Sequence, residues 1–138
     1  INNTVTGANR AESADNLVMG VGNTGSNVQH LTAIGSKNTV SDATSTLVFG
    51  DNRTVTGANH TVILGSSDNG TTTTVNDAVA VGHNTEVSAV GGAAIGSNSK
   101  ATVAAGAVGY DILTNAPSTD TSATLHGNPQ RLLYPLVM

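Results

Sequence analysis

The sequence predicts an all-β solenoid, a chain wound into stacked coils of short parallel strands. Two observations carry this. A short apolar run closed by glycine recurs seven times at nearly constant spacing, and the 138 residues hold almost no aromatic side chains, only Phe49, Tyr110 and Tyr134 with no Trp. Aromatic rings supply much of the buried area of ordinary cores, so a chain 2% aromatic must bury small aliphatics in a regular stack or stay unfolded. Disordered chains combine low hydrophobicity with high charge, whereas this one is 38% hydrophobic and 10% charged, with its apolar residues in spaced clusters.

The repeated element reads Leu17-Val18-Met19-Gly20, Thr32-Ala33-Ile34-Gly35, Leu47-Val48-Phe49-Gly50, Val62-Ile63-Leu64-Gly65, Val79-Ala80-Val81-Gly82, Ala93-Ala94-Ile95-Gly96 and Ala107-Val108-Gly109. The closing glycines are 15, 15, 15, 17, 14 and 13 residues apart. Such a period marks one supersecondary unit per repeat. A longer echo supports duplication, because residues 2–9 match residues 52–59 at every position but one.

The residue before each glycine is large and apolar: Met19, Ile34, Phe49, Leu64, Val81, Ile95 and Val108. Five residues after the glycine stands a second apolar position, Val40, Val55, Val87 and Ala101 in four of the repeats. Runs of three to five residues rich in Val, Ile, Leu and Thr, bounded by Gly, Asn, Ser and Asp, are strands and turns and too short for helices. Each unit is therefore two short strands in one coil. Equivalent residues of successive coils then stack about 4.8 Å apart, so the residues before glycine form an apolar ladder, in the core or facing a partner chain. The glycines Gly20, Gly35, Gly50, Gly65, Gly82, Gly96 and Gly109, with Asn23, Asn38, Asn52, Asn84 and Asn98 two or three positions later, suit turns with positive φ or side-chain-to-backbone bonds. Asn2, Asn52, Asn59 and Asn69 fit the glycosylation pattern, as expected by chance in so Asn- and Thr-rich a chain.

Composition excludes several classes. The formal net charge is −4, and the basic residues Arg10, Lys37, Arg53, Lys100 and Arg131 never cluster, which argues against nucleic acid as a partner. Without Cys there is no disulfide framework and no thiolate metal site. No run is long enough to cross a bilayer and no secretion signal opens the chain, so an exported protein would carry that signal elsewhere.

One arrangement suggests chemistry. Five residues before the closing glycines lie Asp15, His30, Ser45, His60 and Asp77, the composition of a hydrolase triad in one stacked column. A triad needs a cleft and donors aimed at an oxyanion, and the flat face of a solenoid offers neither, so hydrogen bonding between coils is the expected role. A threefold axis could gather copies of His30 or His60 into an ion site. His83 and His126 are expected in turns or on the surface, and no metal or cofactor site is assigned. The glycine-rich pieces at residues 20–22 and 90–92 lack the Lys-Ser/Thr and helix of a phosphate loop.

Residues 77–84 (DAVAVGHN), 92–99 (GAAIGSNS) and 104–111 (AAGAVGYD) resemble the repeat of YadA-like heads of trimeric autotransporter adhesins. The resemblance spans about residues 10–112. It implies a left-handed parallel β-roll with coils of about 14–15 residues, assembled side by side as a homotrimer. It implies attachment to an extracellular matrix protein, a host-cell receptor or another bacterial surface. It further implies display at the cell surface from a bacterial outer membrane, on stalk and anchor regions not contained in this chain, without membrane insertion by the head itself. Residues 1–115 are then the head repeats and 116–138 a non-repeat segment. The stretch Leu132 to Met138 covers the open end, forms a degenerate neck or packs against a neighbouring chain. The longest interval holds Ser66, Ser67, Asp68, Asn69, Gly70, Thr71, Thr72, Thr73 and Thr74, expected as a protruding loop.

Trimerisation has a separate physical argument. A thin roll of Ala, Val and Thr with a second apolar face leaves a patch larger than a monomer tolerates, and burial between chains removes it. The columns through Leu17, Leu47, Val62 and Val79, or through the residues before glycine, are the candidates for the axis. Other solenoids fit less well. Hexapeptide acyltransferases need multiples of six, calcium rolls need G-G-x-G-x-D, and ice binders need flat Thr arrays, for which Thr39, Thr54 and Thr85 share a column only loosely. A monomeric ice- or carbohydrate-binding β-solenoid is the alternative.

Overall fold

The computed structural model describes residues 1–7, 15–104, 110–111, 113–117 and 132–133. Its strands are β1 (Thr4–Thr6), β2 (Leu17–Val21), β3 (Thr24–Gln29), β4 (Thr32–Ser36), β5 (Thr39–Thr44), β6 (Leu47–Phe49), β7 (Arg53–Thr56) and β8 (Val62–Leu64). They continue with β9 (Thr71–Thr73), β10 (Val79–Val81), β11 (Glu86–Val87), β12 (Ala93–Ile95), β13 (Lys100–Ala101), β14 (Tyr110–Asp111), β15 (Ala116–Pro117) and β16 (Leu132–Leu133). No helix occurs among the described residues.

Even and odd strands separate into two sheets, the signature of a coil that crosses from one sheet to the other and back. The first sheet runs β2-β4-β6-β8-β10-β12-β16, and the second runs β1-β3-β5-β7-β9, with β11-β13 pairing beyond it. Every pair in these ladders is parallel and in register with the repeat: Met19 faces Ile34, Ile34 faces Phe49, Phe49 faces Leu64, Leu64 faces Val81 and Val81 faces Ile95. The chain is thus a β-solenoid of about six turns. The expected repeat Ala107-Val108-Gly109 lies outside the described residues; among those described, Leu132–Leu133 ends the first sheet, paired in parallel with Ala93 and Ala94. Strands β14 and β15 form a short antiparallel pair outside the repeat.

The core sits between the sheets and is made of small side chains. In the first sheet the middle residue of each strand points in: Ala33, Val48, Ile63, Ala80 and Ala94 are all essentially buried. From the second sheet come Val28, Val40, Ala43, Val55 and Thr73, from the β11-β13 pair Val87 and Ala101, and the segments between strands add Leu31, Ala58 and Ala78. Side chains alternate across a strand, so the residues flanking that middle position must point out. The residues before glycine therefore leave the core: Met19 and Phe49 remain 52% and 53% exposed, and Ile34, Leu64, Val81 and Ile95 are half-buried. Of the two places expected for this ladder, the interior is excluded, because the middle residue of each strand occupies it and the next residue along must face the other way.

The glycine column has a steric cause. Gly35 has φ +134°, and a Cβ there would collide with the carbonyl of Gly50 in the next coil. The same clash repeats from Gly20 to Gly35 and from Gly65 to Gly82. Coils stack here glycine on glycine, and no other residue both reaches this conformation without strain and leaves the space open. Gly109 lies outside the described residues.

Candidate functional site

Up to three further bends in a coil take the left-handed conformation, and they account for many of the sequence's Asn, Asp and His. Asp15, His30, Ser45, His60, Asp77 and Gly91 form one such column, with φ between +50° and +67°. Lys37, Asn52, Asn84 and Asn98 form a second, with φ between +54° and +61°, and Asn27, Asp42 and Gly57 a third. Short polar side chains tolerate this region best after glycine, so the apparent triad is a row of turn residues. His30 lies 3.6 Å from Asp15 and His60 lies 3.2 Å from Asp77, all four well exposed. Such surface pairs contribute little to stability. His83, exposed as expected, pairs at 3.0 Å with Asp68, while His126 lies outside the described residues. No group of three or more His, Asp or Glu that could hold a metal occurs among the described residues.

The asparagines expected together in turns divide into two roles. Asn52, Asn84 and Asn98 make the bends, whereas Asn23 and Asn38, one residue further along, are buried and build an internal ladder. Asn38 Nδ2 donates to Asn23 Oδ1 at 3.0 Å and to the Gly50 carbonyl at 2.7 Å, and Asn23 Nδ2 donates to the Gly35 carbonyl at 2.8 Å. Each amide satisfies the coil below and the turn beside it. At the next rung the slot holds Arg53, only 1% exposed. Its Nε donates to Gly65 O at 2.8 Å, Nη1 to Thr85 O at 2.7 Å, and Nη2 to Ser66 O, Gly82 O and Thr85 Oγ1 at 3.2, 3.0 and 3.1 Å. Burial pulls its pKa below the usual arginine value, yet arginine stays charged, and carbonyl dipoles rather than an anion solvate it here.

This arginine stands where the spacing lengthens. The 66–74 segment does not protrude throughout: Thr71–Thr73 is β9, paired with β7, and Thr73 and Ser67 are buried. Only residues 68–70 are exposed together. They are clasped on both sides. Asn52 Nδ2 donates to Ser67 O and Asp68 O, and Asn84 donates through Nδ2 to Asp68 Oδ2 at 2.9 Å while its Oδ1 accepts from Asp68 N. The Asn84 bond, with the His83 bond and charge beside it, holds the Asp68 carboxyl below the usual carboxylate value.

Two outward faces remain, of opposite chemistry. The first sheet presents Leu17, Thr32, Leu47, Val62, Val79 and Ala93 in one column and Met19, Ile34, Phe49, Leu64, Val81 and Ile95 in the other. A shallow hollow runs along the second column beside Ile34, Phe49 and Leu64. The second sheet presents hydroxyls. Thr4, Thr24, Thr39, Thr54 and Thr72 stack in unbroken register, with Thr6, Ser26, Ser41 and Thr56 two residues along in a parallel column. The loose column expected from Thr39, Thr54 and Thr85 is thus corrected. Thr85 is buried and holds Arg53, and Thr72 takes the outward place because residues 68–70 loop out and return the chain to register.

Comparisons with protein-family models, with curated proteins and with solved structures find no match to this chain. What fold and faces define is a class: a repeat β-solenoid with one apolar and one hydroxyl-bearing sheet.

Proposed function

We propose that this chain is the head of a bacterial surface adhesin, a left-handed roll working as a side-by-side homotrimer that attaches to extracellular matrix, host-cell receptors or other bacterial surfaces. The observation that carries this reading is the uncovered apolar face of the first sheet, where Leu17, Met19 and Phe49 are about half exposed in register with four further rungs. A contiguous apolar face of that kind marks an interaction site. Two further copies are the fitting occupants, because identical chains side by side set like rung against like at every level, and a closed threefold ring covers all three faces with no free edge. Head repeats then offer the same shallow outer surface many times, so weak contacts with a ligand add through multivalency. The role is attachment rather than catalysis, at the cell surface, on stalk and anchor segments of the same protein.

The test is the absolute mass of the purified chain by light scattering, together with Phe49→Lys and Leu64→Lys. A trimer that both variants turn into monomers with unchanged circular dichroism supports the reading. A monomeric parent chain overturns it. Adhesion of the trimer to immobilised matrix proteins or bacterial cells then identifies the ligand class.

A further inference from the structure

We infer that the outward hydroxyl face of the second sheet is a binding surface for crystalline water, an ice-binding face. The inference uses the sheet opposite the one assigned to trimer contacts and stands or falls separately from it. The face has three properties that together narrow the partner. It is periodic in two directions: rungs repeat about every 4.8 Å along the solenoid, over about 19 Å from Thr4 to Thr72, and the Thr and Thr/Ser columns lie about 6.6 Å apart along the strands. Oxygen atoms of the hexagonal ice lattice repeat at nearly the rung interval.

It is also chemically uniform. The two columns contain only Thr and Ser, with no charge and no ring. Charged side chains would hold disordered hydration, and a sugar-binding surface would offer aromatic faces for stacking, which this sheet lacks. Each Thr presents a hydroxyl that both donates and accepts beside a methyl group, and its β-branch limits χ1, so the array loses little side-chain freedom on meeting a lattice. Neighbouring hydroxyls are already near each other, with Ser41 Oγ 3.3 Å from Thr56 Oγ1.

Finally, the stack beneath the array is held in step. The coils that carry Thr24, Thr39 and Thr54 have the identical 15-residue period, and the Asn23, Asn38 and Arg53 ladder ties them internally. The lengthened coil ejects residues 68–70 and returns Thr72 to the column. An insertion that conserves the outward threonine keeps the surface flat. One coil further the match ends: the corresponding outward positions of β11 and β13 hold Glu86 and Lys100, paired at 2.7 Å. The array is bounded, as a site is.

The experiment is ice-crystal shape and thermal hysteresis of the whole chain, beside Thr39→Tyr/Thr54→Tyr, which keeps β-forming residues but breaks the array, and beside Leu64→Lys on the other sheet. Faceted crystals and a freezing gap with the parent chain and with Leu64→Lys, both lost in the double tyrosine variant, are expected. Round, unfaceted crystals with the parent chain overturn the inference whatever the variants do. So does full activity in a folded double variant, which would place ice on another surface, or sedimentation of the chain with cellulose or chitin while ice growth is unaffected.

Discussion

Replacement of Arg53 tests how the solenoid absorbs its lengthened coil. The guanidinium reaches four carbonyls and one hydroxyl in the interior. Two of those carbonyls keep a partner without it, since Ser66 O also accepts from Asn84 N and Gly82 O from Thr85 Oγ1. In Arg53→Ala the carbonyls of Gly65 and Thr85 lose their donor. At about 1–3 kcal/mol for each orphaned buried acceptor, the loss is about 4 kcal/mol, with the void adding to it and the relieved desolvation of the cation subtracting. Arg53→Asn should cost about half as much. An Asn in this slot donates to Gly65 O as Asn38 does to Gly50 O, leaving only Thr85 O unpaired. Arg53→Met fills space but donates nothing, so it should behave nearly as badly as alanine.

Urea unfolding followed by circular dichroism, at one fixed protein concentration because any assembly is linked to stability, gives the order wild type, Asn, Met, Ala. Solenoid coils touch only their neighbours, so hydrogen exchange should place the loss between β7 and β11 rather than throughout. If Arg53→Met proved as stable as the parent chain, the side chain would be a packing element and the account of solvation by carbonyls would fail.

Two other perturbations separate causes that look alike in the sequence. Gly57→Ala has open space around it and only its φ of +63° to overcome, at about 1–2 kcal/mol, whereas Gly35→Ala also meets the Gly50 carbonyl and should prevent native stacking; equal urea midpoints for the two would refute the steric reading of the glycine column. The Asp68 carboxyl has a folded pKa below its unfolded value of about 4, so its clasp on Asn84 is complete above that value and is lost as pH falls through the lower, folded one. Carboxyl NMR titration should show this low midpoint moving up in Asn84→Ala, and an unchanged midpoint would remove Asn84 as its main cause.

Much of the fold was legible because repetition is visible without knowing what each residue touches. The glycine period, the two strands per coil and the second apolar position at Val40, Val55, Val87 and Ala101, which the structure buries, all follow from counting. Direction was harder. An apolar residue before glycine fits a core or an uncovered face equally well, and only the alternation from a buried middle residue sends Met19 and Phe49 outward. Asn38 and Asn52 differ by one position relative to their glycines, yet one is a buried ladder member and the other a bend. Arg53 was hidden because a lone arginine among polar turns reads as surface. The threonine column escaped because the frame was counted from glycine: the insertion displaces Thr72 from that count, and Thr85 falls into it with its side chain inside.

The outward positions hold the clearest trace of function, because the fold demands least of them. Stacking dictates the glycines, left-handed bends favour short polar residues and Gly, and the interior takes aliphatic side chains and polar groups that find hydrogen bonds there. None of this requires threonine at positions 4, 24, 39, 54 and 72, or apolar residues at 19, 34, 49, 64, 81 and 95. The paired Glu86 and Lys100 show that charge is accepted at the corresponding outward positions of the β11-β13 pair, beyond the threonines. Uncovered apolar rungs also carry a cost, since they invite aggregation unless something occupies them. Uniform chemistry kept over five or six rungs, on two faces and of two opposite kinds, is therefore not imposed by the fold, and the two proposals above rest on it. The first-sheet variants and the tyrosine pair on the second should accordingly act independently, with effects on mass and on ice growth that do not cross over.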